Sequence, residues 1–139
     1  MPFRLQIPKA IYDAMIAHAQ AEAPNECVGL LAGRPDGVVV ERYPLVNELA
    51  SPTRFCSDGQ SLCAAERRRR AAGLEFLAIY HSHPSSPPVP SRIDTDPDVN
   101  FWCGVEVVSL IISLLPPAPV VRGYWLTPHV YREAEVVVM

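Results

Sequence analysis

Residues 81–94 read HSHPSSPPVPSRID and place two histidines one residue apart at the end of an apolar run. That run, FLAIYHSH at residues 76–83, is typical of a buried β-strand, in which side chains i and i+2 project from the same face. The strand therefore predicts that the imidazoles of His81 and His83 point toward one place. Four prolines then restrict the loop that leads to the next carboxylate, at Asp94.

Two imidazoles and one carboxylate form a set of ligands that suits a divalent metal ion. Neutral imidazole binds zinc, and catalytic zinc sites take three protein ligands and keep the fourth position for water. We therefore predict a zinc site formed by His81, His83 and Asp94. The histidine pair alone is weak evidence, because such pairs also occur on ordinary strands. The proline-rich loop and the carboxylate strengthen it.

Hydrolysis at such a site also needs a proton acceptor. Glu26 opens the apolar run ECVGLLAG, where a carboxylate is costly without a function, although a solvent-exposed acid at a strand end fits the spacing equally well. Ser91 and Asp94 form the pattern S-x-x-[DE], which is typical of a helix cap. The Ser91 hydroxyl could also donate a hydrogen bond to a developing oxyanion.

The rest of the chain predicts an α+β fold in a single domain, residues 1–139, long enough to bury a core. One helix is expected to begin at Pro8. A second is expected to run from a capping box at Ser57 and Gln60 to a C-cap at Gly73. A hairpin from ECVGLLAG to VVVERYPLV, and single strands in FLAIYHSH, VEVVSLIIS, VVRGYWLT and HVYREAEVVVM, give about six strands.

Charge and hydropathy give no reason to expect nucleic acid or a membrane as partner. The net charge is -3, and the basic run at residues 67–70 follows Glu66 on a predicted helix, where it is expected to face solvent. The longest apolar stretch is broken by prolines and is shorter than the roughly 18 residues of a spanning helix. The N-terminal sequence MPFRLQIPKA lacks the apolar segment of a secretion signal, so we expect a cytoplasmic protein.

The cysteines show no C-x-x-C spacing, so they predict neither a thiolate zinc site nor a redox motif. In a cytosolic chain we expect reduced and mostly buried thiols. The four are Cys27, Cys56, Cys63 and Cys103.

The spacing of these polar residues resembles that of a known family. Residues 81–94 fit the signature H-[ST]-H-P-x(6)-S-x(2)-D of the JAMM/MPN+ metalloproteases, and Glu26 resembles the separate glutamate of that family. VNELASPTRF, residues 46–55, resembles the segment before the middle helix of compact prokaryotic members. The implied fold is a mixed, curved β-sheet flanked by helices, similar to the cytidine deaminase layout.

The resemblance also implies a role for each residue. His81, His83 and Asp94 would bind zinc, Glu26 would polarise water and pass its proton to the leaving amine, and Ser91 would stabilise the tetrahedral intermediate. Members of the family cleave peptide or isopeptide bonds after the Gly-Gly tail of ubiquitin or ubiquitin-like proteins. Bacterial members act beside sulfur-carrier proteins of the ubiquitin fold, so a ubiquitin-like sulfur carrier is the implied substrate. We expect its tail to bind along the strand that ends at His81 and along residues 47–55.

Three other functions would require different residues or a different substrate. A zinc nucleoside deaminase would carry H-x-E and P-C-x-x-C, and this sequence contains neither. A noncatalytic MPN interaction scaffold typically lacks one or more ligands, whereas here none is missing. A zinc amidase that acts on a small molecule is the alternative enzyme.

Overall fold

The computed structural model describes residues 3–139, which form two helices, a sheet of six strands and a separate sheet of two. The strand order of the larger sheet is β3-β2-β4-β5-β6-β7, in which β4 and β5 are parallel and the other neighbours are antiparallel. The predicted α+β class with a mixed sheet is therefore confirmed. The elements are β1 (Leu5–Ile7), α1 (Lys9–Glu22), β2 (Val28–Gly33), β3 (Val39–Leu45), α2 (Gly59–Ala72), β4 (Glu75–His83), β5 (Val108–Ser113), β6 (Val120–Thr127), β7 (Val130–Ala134) and β8 (Val136–Val138).

Each face of the larger sheet is covered by an apolar layer that includes one helix. Met15 and Ala19 of α1 belong to one layer, and Ala65 of α2 belongs to the other. The central strand β4 contributes Tyr80 to the α1 layer and Ile79 to the α2 layer, as side-chain alternation requires. The two histidines follow Ile79 at a spacing of two and therefore lie on the α2 face.

The N-terminus of α2 differs from the prediction. Asp58, rather than Ser57, is the N-cap, and its carboxylate accepts a hydrogen bond of 2.7 Å from the Ser61 N–H. A carboxylate is the stronger acceptor at this position, and Ser57 is held instead in an isolated bridge with Asn47. The predicted C-cap is confirmed, because Gly73 adopts the left-handed conformation with φ of 68°.

The C-terminal stretch HVYREAEVVVM forms two strands, so the prediction of a single strand there is wrong. β7 ends the larger sheet, whereas β8 leaves it and pairs in parallel with β1. The Leu5 N–H donates to the Glu135 carbonyl at 3.0 Å, so the pairing with β1 begins directly after the last residue of β7. The short apolar β1 gains a partner in this way, and the residues 3–139 contain eight strands rather than about six.

The longest apolar stretch of the sequence forms the fully buried strand β5. None of the helices within residues 3–139 is long and apolar enough to cross a membrane.

The expectation of mostly buried thiols is wrong. All four cysteines are free, but only Cys27 is buried, while Cys56 and Cys63 are exposed and Cys103 is partly buried. The latter three lie on α2 or in loops, where neighbouring elements leave the side chains partly open.

Candidate metal centre

The two histidines at the end of β4 converge as predicted. Their Nε2 atoms lie 3.2 Å apart, and both side chains are buried. Asp94 completes the group: its Oδ1 lies 3.3 Å from Nε2 of His81, and its Oδ2 lies 3.2 Å from Nε2 of His83. The three ligand atoms all lie within 4.8 Å of one another. The structure thus brings together the three residues that the sequence nominated as ligands.

The surroundings of the rings indicate which nitrogen faces the group. Nδ1 of His83 lies 2.8 Å from the Pro87 carbonyl, and a carbonyl can only accept, so Nδ1 carries the hydrogen. In the neutral ring the Nε2 lone pair then faces Asp94. The ring of His81 stacks on Phe55 at 4.6 Å between centroids, and its Nδ1 has no hydrogen-bond partner in the described part of the chain.

This arrangement fits a cation. Without a cation or an added proton, a nitrogen lone pair would face a carboxylate oxygen at 3.2 Å. Burial lowers the pKa of His83, but hydrogen bonds to Asp94 and Pro87 outweigh it, so that the pKa is raised. Two imidazoles and one carboxylate that face a common point are also the ligand types that zinc prefers. Both the charge distribution and the ligand types of the site therefore fit a zinc ion.

Asp94 is fixed by the turn on which it lies. Its Oδ2 accepts the Ser91 N–H at 2.9 Å, and its own N–H donates to Ser91 Oγ at 3.1 Å, so the predicted cap forms in both directions. Asn100 donates to the Asp94 carbonyl at 2.7 Å. Burial opposes ionisation of Asp94, but the histidines and the Ser91 amide hold the pKa of its carboxyl well below the usual range.

The proline-rich loop is tied to three strands through consecutive carbonyls. The carbonyls of residues 86, 87 and 88 accept hydrogen bonds from Ser113 Oγ at 2.7 Å, His83 Nδ1 at 2.8 Å and the Tyr124 hydroxyl at 2.5 Å. These donors lie on β5, β4 and β6. The loop that connects the histidines to Asp94 is therefore held by side chains as well as by proline stiffness. The sequence pointed only to the prolines.

Glu26 lies just before β2 and is buried, with 5% of its surface exposed, so the interpretation as a solvent-exposed acid is wrong. The pKa of Glu26 is raised to about 7, chiefly by burial; His81 and His83 lower it, and Asp94 raises it by a smaller amount. The Glu26 carboxyl interacts electrostatically with His81, His83 and Asp94 but is not a member of that group of three. Near neutral pH it can both accept and release a proton.

A segment formed by residues 46–57 crosses near Glu26 and His81. Asn47 closes this segment: its Nδ2 donates to the carbonyls of Glu26 and Arg54, each at 3.0 Å, and its Oδ1 accepts from the amides of residues 49 and 56. The Glu26 N–H donates in turn to the Ser51 carbonyl at 2.8 Å. Sequence reasoning singled out residues 46–55 of this segment but not the role of Asn47, because nothing local marks an asparagine whose partners lie up to 21 residues away.

The fold and the site together define an α+β protein with a buried group of three residues that could hold a metal ion and a buried acid beside it. Residues 8–126 match the family of prokaryotic homologues of the JAB domain, and the chain belongs to this family. The resemblance seen in the sequence is therefore confirmed.

Two curated relatives and one solved structure show where the similarity lies. The chain is 44% identical over 92 residues to the probable TtuB-protein conjugate cleaving protease of Thermus thermophilus, which covers 65% of this chain and 60% of the relative. It is 34% identical over 102 residues to the CysO-cysteine peptidase of Mycobacterium tuberculosis, covering 70% of each protein. The solution structure of protein DSY2949 from Desulfitobacterium hafniense superimposes with a TM-score of 0.85 at 34% identity, covering 97% of this chain and 92% of that protein.

Proposed function

We propose that the chain is a zinc-dependent peptidase that cleaves the bond after the C-terminal glycine of a ubiquitin-like sulfur-carrier protein. The observation that carries this proposal is the convergence of His81, His83 and Asp94 with the buried carboxyl of Glu26 beside them. The relatives are named as a conjugate-cleaving protease and a peptidase, which supports hydrolysis of a bond made by a carrier protein.

The three clustered residues would hold the metal. His81 and His83 would bind through Nε2 and Asp94 through its carboxylate, since these atoms converge. A bound zinc ion acidifies water and polarises the carbonyl that is attacked. The Pro87 carbonyl keeps the hydrogen of His83 on Nδ1 and so leaves Nε2 available for the metal.

Glu26 and Ser91 would carry out the proton transfer and charge stabilisation. A carboxyl with a pKa of about 7 can accept the proton of the attacking water and return it to the leaving amine at neutral pH. Ser91 Oγ accepts the N–H of Asp94, which leaves its own hydrogen for another acceptor. Because Ser91 is exposed, an oxyanion of a bound substrate can reach that hydrogen.

The route of the tail differs from the expectation that it binds along β4. That strand is hydrogen-bonded to β2 on one side and to β5 on the other, so a peptide cannot be added to it. The other expected side of the groove, residues 47–55, stays a proposal, and the end of the segment 46–57 supports it. An apolar cleft of about 220 Å³ opens there, beside the ring that stacks on His81. Its walls include Phe55, Leu62, Val99, Phe101 and Trp102.

Glycines at the end of the tail suit this geometry. Phe55 stacks on His81, and the three residues that would hold the metal are almost completely buried, so only a backbone without side chains can approach them closely. The test is a gel assay with a target protein conjugated to a ubiquitin-like carrier that ends in Gly-Gly. Zinc-loaded chain should release the carrier, chelated chain should not, and added zinc should restore release. Equal release with and without the metal would contradict a zinc-dependent mechanism.

A further inference from the structure

Ser82 lies between the two histidines on β4 but projects from the opposite face of the sheet, where it is completely buried. Its Oγ accepts the N–H of Cys27 at 2.8 Å, and its own N–H donates to the Cys27 carbonyl at 3.3 Å. A single serine therefore holds both backbone groups of Cys27. That residue is the one that follows Glu26.

The regular pairing between β2 and β4 stops beside this serine hydroxyl. The ladder stops at Val28 opposite His81, and one more step would pair Cys27 with Ser82. In a regular antiparallel ladder the Cys27 N–H would then donate to the main-chain carbonyl of Ser82. Here the hydroxyl oxygen receives that hydrogen instead. Ser82 Oγ thus replaces the Ser82 carbonyl as the acceptor, and the second backbone hydrogen bond of this residue pair is not formed.

The consequence falls on Glu26. One further step of a regular ladder would place Glu26 directly opposite His83, with their Cβ atoms about 5 Å apart. Such a pair would leave little space between the carboxyl and the imidazole. In the structure Glu26 interacts electrostatically with both histidines but is not a member of the group of three. Its N–H donates to the Ser51 carbonyl, and its carbonyl accepts from the Asn47 side chain.

We propose that Ser82 is a positioning residue, which sets the separation between the Glu26 carboxyl and the histidines on its own strand. Its hydroxyl holds Cys27 away from the regular ladder, and Glu26 is thereby kept far enough from His83 for water and the scissile group to enter. The inference rests on the proposed function, in which Glu26 transfers the proton. Ser82 touches no substrate and acts only through the backbone of Cys27.

The experiment is a double-mutant cycle of Ser82→Ala and Glu26→Gln, with turnover expressed per bound zinc. Ser82→Ala should keep its zinc and lower kcat at least about tenfold with KM changed less than about twofold, and Ser82→Thr should restore most of kcat. In the Glu26→Gln background, Ser82→Ala should cause less than a further twofold loss, because the residue that it positions is already gone. Equal losses in both backgrounds would overturn the proposal.

A matched control and a metal-free readout complete the test. Ser109→Ala removes another buried hydroxyl from a strand of the same sheet and should leave kcat unchanged. In metal-free protein, Ser82→Ala should speed amide exchange at Cys27 more than about tenfold while exchange at Leu30 stays slow. Unchanged protection at Cys27 would overturn the proposal even if no carrier is cleaved, an outcome that would separately contradict the proposed function.

Discussion

The Nε2 atoms of His81 and His83 lie 3.2 Å apart, and the carboxylate of Asp94 approaches both of them. The Pro87 carbonyl fixes the hydrogen of His83 on the far nitrogen, so a lone pair of that ring faces the carboxylate. A lone pair of His83 and a carboxylate oxygen that face each other at 3.2 Å favour a positive charge between them. The chain supplies the geometry for a cation before any substrate binds.

The first prediction concerns metal content. The purified chain should contain one zinc ion, and Asp94→Ala should lose most of it because one ligand of three is removed. Elemental analysis after expression in zinc-replete medium measures both proteins. Asp98→Ala is the matched control: it removes an exposed carboxylate of the same loop and should retain the zinc. Equal zinc in Asp94→Ala and wild type would place the metal elsewhere.

The second prediction separates chemistry from metal binding. Glu26→Gln should keep the zinc and lose turnover by about a hundredfold or more, the size expected for the loss of a general base. Turnover per bound zinc, measured on a carrier conjugate, decides the matter. A variant within a few-fold of wild type would assign the proton transfer to another residue.

The third prediction uses the raised pKa of Glu26 in the metal-free protein. The folded state keeps the Glu26 proton up to a pH of about 7, whereas an unfolded chain releases it near about 4.3. Between these values the folded state binds more protons, so this contribution to stability is complete below about pH 4.3 and is lost as the pH rises through about 7.

Replacement of Glu26 by Gln removes that dependence. In chelator, the free energy of unfolding of Glu26→Gln should therefore rise relative to wild type, by up to about 2.5 kcal/mol between about pH 5 and about pH 8. Urea denaturation at several pH values measures the difference. A difference that stays constant with pH would show that the burial of Glu26 does not hold its proton.

The fourth prediction distinguishes the two roles of Ser91. Ser91→Ala removes the hydroxyl but keeps the main-chain N–H that binds Asp94 Oδ2, so zinc should be largely retained. Turnover should fall by roughly a hundredfold if the hydroxyl supports the oxyanion, and Ser91→Thr should recover much of it. If only the melting temperature falls, the cap on Asp94 is the whole role of Ser91.

Local geometry explains what could be predicted from the sequence. The convergence of His81 and His83 follows from strand alternation, and the contact of Ser91 with Asp94 spans three residues. The choice of Asp58 over Ser57 as the cap of α2 shows the limit of such patterns, because two neighbouring residues can both cap and only the folded turn selects one.

Long-range contacts explain what could not be predicted. Ser82 and Cys27 are separated by 55 residues, and Tyr124 reaches the carbonyl of a residue 36 positions away. These contacts depend on which strands are neighbours in the sheet, and hydrophobic periodicity does not specify that order. The departure of β8 to pair with β1 has the same cause. The convergence of His81, His83 and Asp94 could therefore be predicted from the sequence, whereas the contacts that join distant strands around them could not.

The most direct test of the central claim is intact-mass spectrometry of a ubiquitin-like sulfur carrier that bears a cysteine or another short extension after its terminal Gly-Gly. Zinc-loaded chain should reduce the mass by that of the extension alone and leave a carrier that ends in glycine. Glu26→Gln should leave the mass unchanged, and unrelated polypeptides such as casein should stay intact. An unchanged carrier after incubation with zinc-loaded wild type would contradict the account and favour a zinc amidase that acts on a small molecule.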